Sequence, residues 1–127
     1  MRLLLDSHVV LWLTADVPGR SSSTLAAIVD EANETLVSAV SVWELEIKRV
    51  KGQLKAPADL LNRLENAGFR LLSLTPDNAL DAACLPPHHR DPFDRLVVAQ
   101  AQGEAATLVT ADEALAPYDV PIMPVSG

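Results

Sequence analysis

The sequence predicts a three-layer α/β/α fold with a mostly parallel central sheet of four to five short strands. Short apolar runs of strand length alternate with longer segments of helical periodicity along the chain. That alternation is typical of a parallel sheet with helices on both faces. The chain has 127 residues, of which 49% are hydrophobic, and this suits one core of ordinary size. We therefore expect residues 1–127 to form a single domain.

The predicted strands are short and apolar. The first ends at Asp6 after three leucines and is expected to be buried on both faces. The last lies between prolines and is expected to be a short edge strand. In order, the predicted strands cover residues 1–5, 35–39, 69–74, 107–110 and 122–125.

The predicted helices follow from apolar spacing and from start and stop signals. A short helix runs through Leu13, and after a loop with Pro18 and Gly19 the serines 21–23 cap a second helix to about residue 32. Further helices are predicted at residues 41–50, which Gly52 ends, at 57–67, which Gly68 ends, at 76–85, and from Asp91-Pro92 to about 102. The apolar residues expected to face inward from the second and fourth helices are Leu25, Ile28, Val29 and Ala32, and Leu60, Leu61, Leu64 and Ala67.

The sequence offers few signals of compartment. Cys84, the only cysteine, is expected to be a small buried core residue in a reducing compartment. No apolar run is long enough to span a bilayer, and the first one lacks the features of a signal peptide. We expect a cytoplasmic protein that does not enter a membrane.

The charge balance excludes one class of nucleic-acid binder. With 17 acidic and 10 basic residues, the formal net charge is −7, which argues against coating nucleic acid through a broad positive face. A nuclease remains compatible, because bound metal ions supply the local positive charge. The cluster of Lys48, Arg49, Lys51 and Lys55 is either a solvated helix face or a guide for a nucleic-acid backbone.

Four acids are predicted to meet at the carboxyl edge of the sheet. Asp6 follows the first strand, Asp112 follows the fourth, and Glu44 and Asp94 lie in the first turns of helices. Sites in such folds form at this edge. Clustered carboxylates raise one another's pKa unless a cation lies between them. Hard oxygen ligands suit Mg²⁺ or Mn²⁺, and there is no cysteine–histidine cluster for a structural zinc.

Each acid also has a purely structural alternative. Asp6 and Asp112 are common capping residues, and Asp91-Pro92 is a standard helix start. Glu44 completes the pattern Ser41-Val42-Trp43-Glu44, which fits a capping box. Capping alone does not explain why all these acids fall at one edge.

A divalent-ion site indicates phosphoryl chemistry. One ion lowers the pKa of a bound water, and a second stabilises the leaving oxygen. The sequence has no Gly-rich phosphate loop, so binding of a nucleoside triphosphate is not expected. A phosphodiester is the predicted substrate.

Four stretches in order resemble the PIN domain family, and more narrowly the VapC-type toxin ribonucleases of type II toxin–antitoxin systems. They span Leu3 to Leu115 and read LLLDSHVVLWL, VSAVSVWELEIKRVKGQL, HRDPFDRLVVAQA and TLVTADEAL. The family's four acids fall on Asp6, Glu44, Asp94 and Asp112. Asp94 takes the third place because it directly precedes the apolar helix body.

The resemblance implies a Mg²⁺- or Mn²⁺-dependent endoribonuclease, often a homodimer, that a cognate antitoxin inhibits. Asp6 and Asp94 are expected to hold the principal metal. Glu44 and Asp112 complete the pocket, or Glu44 orients the attacking water as a general base. RNA as the substrate comes from the resemblance, because cleavage by metal hydroxide needs no 2′-hydroxyl. An arginine or lysine of the antitoxin is expected to pair with the carboxylates.

For two further positions, Asp91 and Thr110, the sequence leaves more than one role open. Asp91 ligates the metal, caps the helix, or does both. Thr110 lies at a frequent hydroxyl position of the family, where it could orient a water or a carboxylate.

For the histidines and tryptophans we favour structural interpretations. His88 and His89 could supply a ligand or a proton shuttle, but they are expected in a solvent-facing loop because the pair has no metal-ligand spacing. His8 is expected in helix packing, with a supporting place beside Asp6 as the alternative. Trp12 and Trp43 are expected in the core, with burial next to the site as the alternative for Trp43. The rival functions are a phosphatase, a receiver-type signalling domain and a non-catalytic binding module. An aspartyl-phosphate phosphatase would need a second aspartate at position 8, which is His8.

Overall fold

Three consecutive leucines place the first strand at the centre of the sheet. The computed structural model describes residues 1–15 and 22–125. Its strands are β1 (Arg2–Leu5), β2 (Glu34–Ser38), β3 (Arg70–Leu72), β4 (Thr107–Thr110) and β5 (Ile122–Pro124). They form one sheet in the order β3-β2-β1-β4-β5, and every pair is parallel. The predicted α/β fold with a mostly parallel sheet is confirmed, and β5 lies at its edge as expected.

The helices alternate with these strands. They are α1 (Ser7–Thr14), α2 (Ser22–Val29), α3 (Ala39–Val50), α4 (Leu60–Asn66), α5 (Pro76–Cys84) and α6 (Pro92–Gly103), and a 3₁₀ turn covers Glu113–Leu115. Gly52 and Gly68 follow α3 and α4 with φ of 71° and 82°, the left-handed conformation that glycine adopts most easily after a helix. No helix in the described parts of the chain is both long and apolar enough to cross a membrane.

Two apolar layers cover the sheet, one on each face. Leu3 and Leu5 of β1 pack in one cluster with side chains of α1 and α4, whereas Leu4 packs in the other with side chains of α6. All three leucines are fully buried. This alternation is what a strand covered on both faces requires.

Several helix faces differ from their predictions. Of the four residues predicted to face inward from α2, only Ile28 is buried, because the inward face is formed by Thr24 and Ile28 and leaves Leu25 and Val29 exposed. Ala32 lies beyond the end of α2. In α4, Leu60 and Leu64 are buried as predicted, whereas Leu61 and Ala67 are exposed. Pro18, Gly19 and Ser21, part of the predicted loop and cap, lie outside the described residues.

Two further predictions were wrong. Cys84 is exposed rather than buried, because it is the last residue of α5, and the residue that this helix buries is Ala82. The helix α3 begins at Ala39, and the hydroxyl of Ser38 caps it by accepting from the Val40 N–H at 3.0 Å. Ser41 and Glu44 therefore lie inside the helix and form no capping box, which leaves the Glu44 carboxylate available for other contacts.

The order of the strands positions the site. From β1 the chain adds β2 and β3 on one side, then crosses over and adds β4 and β5 on the other. The carboxyl ends of β1 and β4 are therefore neighbours at the point where the winding direction reverses, and in open α/β sheets ligands bind in the crevice at such a point.

Candidate active site

Asp6 opens the site at the carboxyl end of β1. Its Oδ1 accepts a hydrogen bond from the His8 N–H at 2.7 Å, so it caps α1, and its Oδ2 accepts from the Thr110 hydroxyl. The residue is only 4% exposed. Capping and a place in the site are thus compatible, because the two carboxylate oxygens serve different partners.

Thr110 connects Asp6 to the acid that follows β4. Its Oγ1 donates to Asp6 and accepts the Asp112 N–H at 3.0 Å. Asp112 in turn caps the 3₁₀ turn, since its Oδ1 accepts from the Ala114 N–H at 2.9 Å. One buried hydroxyl therefore fixes the relative position of two of the predicted acids.

Glu44 is held from two sides by α1 and by its own helix. Its Oε1 accepts from the Ser7 hydroxyl at 2.7 Å, and its Oε2 accepts from Lys48 Nζ at 2.7 Å. The hydrogen bond with Glu44 raises the pKa of Lys48, burial opposes this, and the charges of Asp91 and Asp94 raise it further. Lys48 is therefore a permanent cation at the rim of the acid cluster.

Asp91 and Asp94 lie at the start of α6. Asp91 is the N-cap, and its Oδ1 accepts from the Phe93 N–H at 2.8 Å. The pKa of Asp94 is raised from 3.8 to about 6, first by burial and then by the negative charges of Asp91 and Asp6. A smaller contribution comes from Glu44. Asp94 therefore shares one electrostatic environment with Asp6, Asp91 and Glu44.

His89 belongs to the site, so its prediction as a solvent-facing residue was wrong. Its Nε2 lies 2.8 Å from Asp94 Oδ2 and 3.4 Å from Asp112 Oδ2, and its side chain is 24% exposed. His88, next to it, is exposed as predicted, with its ring edge-on to Tyr118. His8, predicted to pack against its helix, is 79% exposed, with Nδ1 3.8 Å from Asp6 Oδ1.

Arg95 fixes the loop that carries His89. Its guanidinium donates to the backbone carbonyls of Ala82, Leu85, Pro86 and His89 over 2.9–3.2 Å. The Tyr118 hydroxyl accepts the His89 N–H at 3.0 Å. The only sign in the sequence that the loop before His89 is rigid is the pair of prolines at 86 and 87. Hydrophobic periodicity does not show whether a side chain in a loop is buried.

Trp43 and Phe93, each next to one of the acids in sequence, form an aromatic pair of which Trp43 is exposed and Phe93 partly buried. Trp43, next to Glu44 in sequence, is 57% exposed, and its ring meets that of Phe93 edge-on with centroids 5.2 Å apart. The prediction that Trp43 lies in the core was wrong, since the buried residues of α3 are Val40, Ser41, Glu44 and Leu45. Trp12 is partly buried and packs against the cluster that contains Leu3.

The donor set suits a hard divalent cation. One oxygen each of Asp94 and Asp112 and one ring nitrogen of His89 all lie within 4.8 Å of one another. Asp6 and Glu44, two of the four predicted acids, lie outside this group. Asp6 is connected to Asp112 through the Thr110 hydroxyl, and its carboxylate keeps lone pairs besides those used in its hydrogen bonds. Burial first, and then repulsion between the acids, raises the Asp94 pKa, and a cation here would offset both effects. Mainly carboxylate ligands favour Mg²⁺ or Mn²⁺.

Comparison with known proteins adds family information to this geometry. The family model described as the PIN domain matches residues 3–121. Ribonuclease VapC22 of Mycobacterium tuberculosis (strain ATCC 25618 / H37Rv) is 34% identical over 116 residues, which cover 89% of this chain and 88% of that protein.

Solved structures share the fold at lower identity. VapBC2 from Rickettsia felis, bound to a promoter DNA fragment, matches with a TM-score of 0.76 and 16% identity over 99% of this chain and 100% of that one. VapBC-5 from Mycobacterium tuberculosis, a member of the VapBC family of toxin–antitoxin systems, matches with a TM-score of 0.64 and 20% identity over 97% and 98%. FitAcB from Neisseria gonorrhoeae matches with a TM-score of 0.62 and 22% identity over 95% and 96%.

Proposed function

The chain belongs to the PIN domain family and, within it, to the VapC ribonucleases, and from this premise we propose that it is the toxin endoribonuclease of a toxin–antitoxin pair. It cleaves RNA phosphodiesters with Mg²⁺ or Mn²⁺ held among Asp6, Glu44, Asp94 and Asp112. The observation that supports this most directly is geometric: Asp94 and Asp112 both lie near His89 Nε2, and Thr110 joins Asp112 to Asp6. Acids that only cap helices need not converge in this way.

The acids have distinct roles in this proposal. Asp6 and Asp94 hold the principal metal, and Asp112 completes the pocket. When bound, the cation supplies a water of lowered pKa and stabilises negative charge on the reacting phosphate. Glu44 is fixed by its hydrogen bonds with Ser7 and Lys48, so it orients a water at a constant position rather than moving with the substrate.

Lys48 supplies the positive charge that the phosphate needs. Its side chain is 34% exposed, and its ammonium lies beside Glu44 at the rim of the cluster. A protonated amine so placed contacts a non-bridging phosphate oxygen and offsets the repulsion between a polyanion and a protein of net charge −7.

The aromatic pair favours a nucleic acid over a small phosphate ester. Trp43 and Phe93 adjoin Glu44 and Asp94 in sequence, and Trp43 is largely exposed. Unpaired bases stack on such side chains without strong sequence preference. This surface supports a single-stranded region of RNA as the substrate and disfavours the phosphatase alternative.

The partner in the proposal is a cognate antitoxin. An arginine or lysine from it pairs with the carboxylates and competes with the metal. VapBC-5 from Mycobacterium tuberculosis, whose fold this chain shares, is a member of a family of toxin–antitoxin systems, which supports such a partner here. A homodimer in the cytoplasm is part of the same proposal, with exposed apolar side chains such as Leu61 and Leu80 available for contacts between copies or with the antitoxin.

Cleavage of structured RNAs by the purified protein tests the function. We expect cleavage with Mg²⁺ or Mn²⁺, none with EDTA, and none by Asp6→Asn or Asp94→Asn variants that remain folded. Asp30→Asn is the matched control, because Asp30 also accepts a backbone N–H, that of Ala32, but lies before β2 at the opposite edge of the sheet. A folded protein that neither cleaves RNA nor binds Mn²⁺ in calorimetry would instead support the non-catalytic binding module.

A further inference from the structure

The loop between α5 and α6 brings a nitrogen donor into an otherwise acidic site. We propose that His89 is a direct ligand of the divalent cation, so that the site is a mixed centre in which imidazole joins Asp94 and Asp112. The inference rests on the proposed metal-dependent nuclease and adds a ligand that its four acids do not include.

The distances fit adjacent positions around one ion. Nε2 of His89 lies 2.8 Å from Asp94 Oδ2 and 3.4 Å from Asp112 Oδ2. Around an octahedral ion with bonds of about 2.0–2.1 Å, adjacent ligand atoms are separated by about 3 Å. The contacts reach two different elements, the start of α6 and the turn after β4. A histidine that only oriented Asp94 would need the first contact alone.

The backbone holds the ring at this point. The His89 N–H donates to the Tyr118 hydroxyl at 3.0 Å, and its carbonyl accepts from Arg95 Nη1 at 3.2 Å. Arg95 also binds the carbonyls of Leu85 and Pro86, which precede the histidine. A loop tied down in this way positions its side chain before any ion arrives, as metal sites require of their ligands.

A nitrogen ligand has a consequence for the choice of metal. Mg²⁺ is bound almost entirely through oxygens, whereas transition metals accept imidazole nitrogen readily. Removal of His89 should therefore weaken Mn²⁺ binding by at least about tenfold, because loss of a group that only supports a metal ligand already costs that much. Mg²⁺ binding should change much less, because water can replace the imidazole at little cost.

Pulsed electron paramagnetic resonance of the Mn²⁺-loaded full chain tests the ligand directly. We expect electron spin echo modulation from a coordinated ¹⁴N in the wild type, and its loss in His89→Gln. The chain has three histidines, so His8→Gln and His88→Gln are matched controls that should keep the signal. Labelling the wild type with ¹⁵N-histidine should shift the modulation frequencies, which tests histidine coordination even if His89→Gln folds poorly.

The outcomes separate this inference from the proposed function. Mn²⁺ binding and RNA cleavage without ¹⁴N modulation would overturn the ligand role of His89 and leave the nuclease in place. Modulation that persists in His89→Gln and disappears in His8→Gln would identify His8 as the ligand and would also overturn the ligand role of His89. A wild type that binds no Mn²⁺ and cleaves no RNA would overturn both proposals.

Discussion

Lys48 Nζ lies 2.7 Å from Oε2 of Glu44, one helical turn earlier in α3. The Glu44 side chain is 4% exposed and that of Lys48 is 34% exposed. A buried carboxylate thus has its counter-ion at the protein surface, where the same cation is open to solvent and to substrate. Removing Lys48 leaves the Glu44 carboxylate buried without its counter-ion, and an unpaired buried charge is costly.

Lys48→Met should lower the free energy of unfolding by about 1–2 kcal/mol, in the lower part of the range for charged hydrogen bonds because Lys48 is partly exposed. It should also slow RNA cleavage. Urea denaturation and single-turnover cleavage measure the two effects. Lys51→Met is the control, since Lys51 is an exposed residue at the end of the same helix. Equal stability of the two variants would contradict the structural role of the pair.

Thr110→Val should reduce metal affinity and cleavage by about tenfold, as loss of a group that orients metal ligands typically does. The hydroxyl that it removes donates to Asp6 and accepts from the Asp112 N–H, and the residue is 2% exposed. Calorimetry with Mn²⁺ measures the affinity. Thr110→Ser keeps the hydroxyl and should restore most of the loss; a serine variant as defective as the valine variant would argue for packing instead.

The stability of the metal-free protein should depend on pH through Asp94. Its folded-state pKa is raised from 3.8 to about 6, so the ionised carboxylate opposes folding above about pH 6, and this cost disappears as the pH falls toward 3.8. Asp94→Asn should therefore unfold a few degrees above the wild type at neutral pH. The difference in unfolding temperature between the variant and the wild type should shrink as the pH falls from about 6 to 3.8.

Thermal unfolding in EDTA across this pH range measures the difference between wild type and Asp94→Asn. Saturating Mn²⁺ at neutral pH should reverse their order, because only the wild type gains binding free energy. A constant difference at all pH values would show that Asp94 is not destabilised by its charged surroundings.

Trp43→Ala should raise the KM for RNA by about tenfold and leave kcat nearly unchanged. Loss of one base stacked on an aromatic side chain costs about 1–3 kcal/mol of binding, and Trp43 is 57% exposed, so the core loses little. Steady-state cleavage separates KM from kcat. Trp43→Phe should behave like the wild type. An unchanged KM in the alanine variant would mean that RNA does not stack at this position.

The sheet and its acids could be predicted because their signals are local. Apolar runs such as Leu3 to Leu5 report burial on both faces, and an acid directly after a strand of a parallel sheet must lie at its carboxyl edge. Asp6 and Asp112 satisfy both conditions and follow neighbouring strands, β1 and β4. Their hydrogen bonds with Thr110 follow from that adjacency.

Residues whose surroundings come from distant segments could not be predicted. His89 lies in a polar loop, and hydrogen bonds from its backbone to Arg95 and Tyr118 hold it near Asp112. No spacing rule in the sequence predicts those hydrogen bonds. The size of Trp43 predicts a place in the core. Its exposure depends on which side of α3 meets the sheet, and the helix begins at Ala39, two residues before its predicted start.

The hydrogen bond between Thr110 and Asp6 joins residues 104 positions apart. During synthesis on the ribosome, Asp6 emerges well before its partner hydroxyl and Asp112. The carboxylates therefore come together only after β4 has been made and has paired with β1. A nascent chain that has not yet reached β4 folds without the strand that completes this acidic cluster.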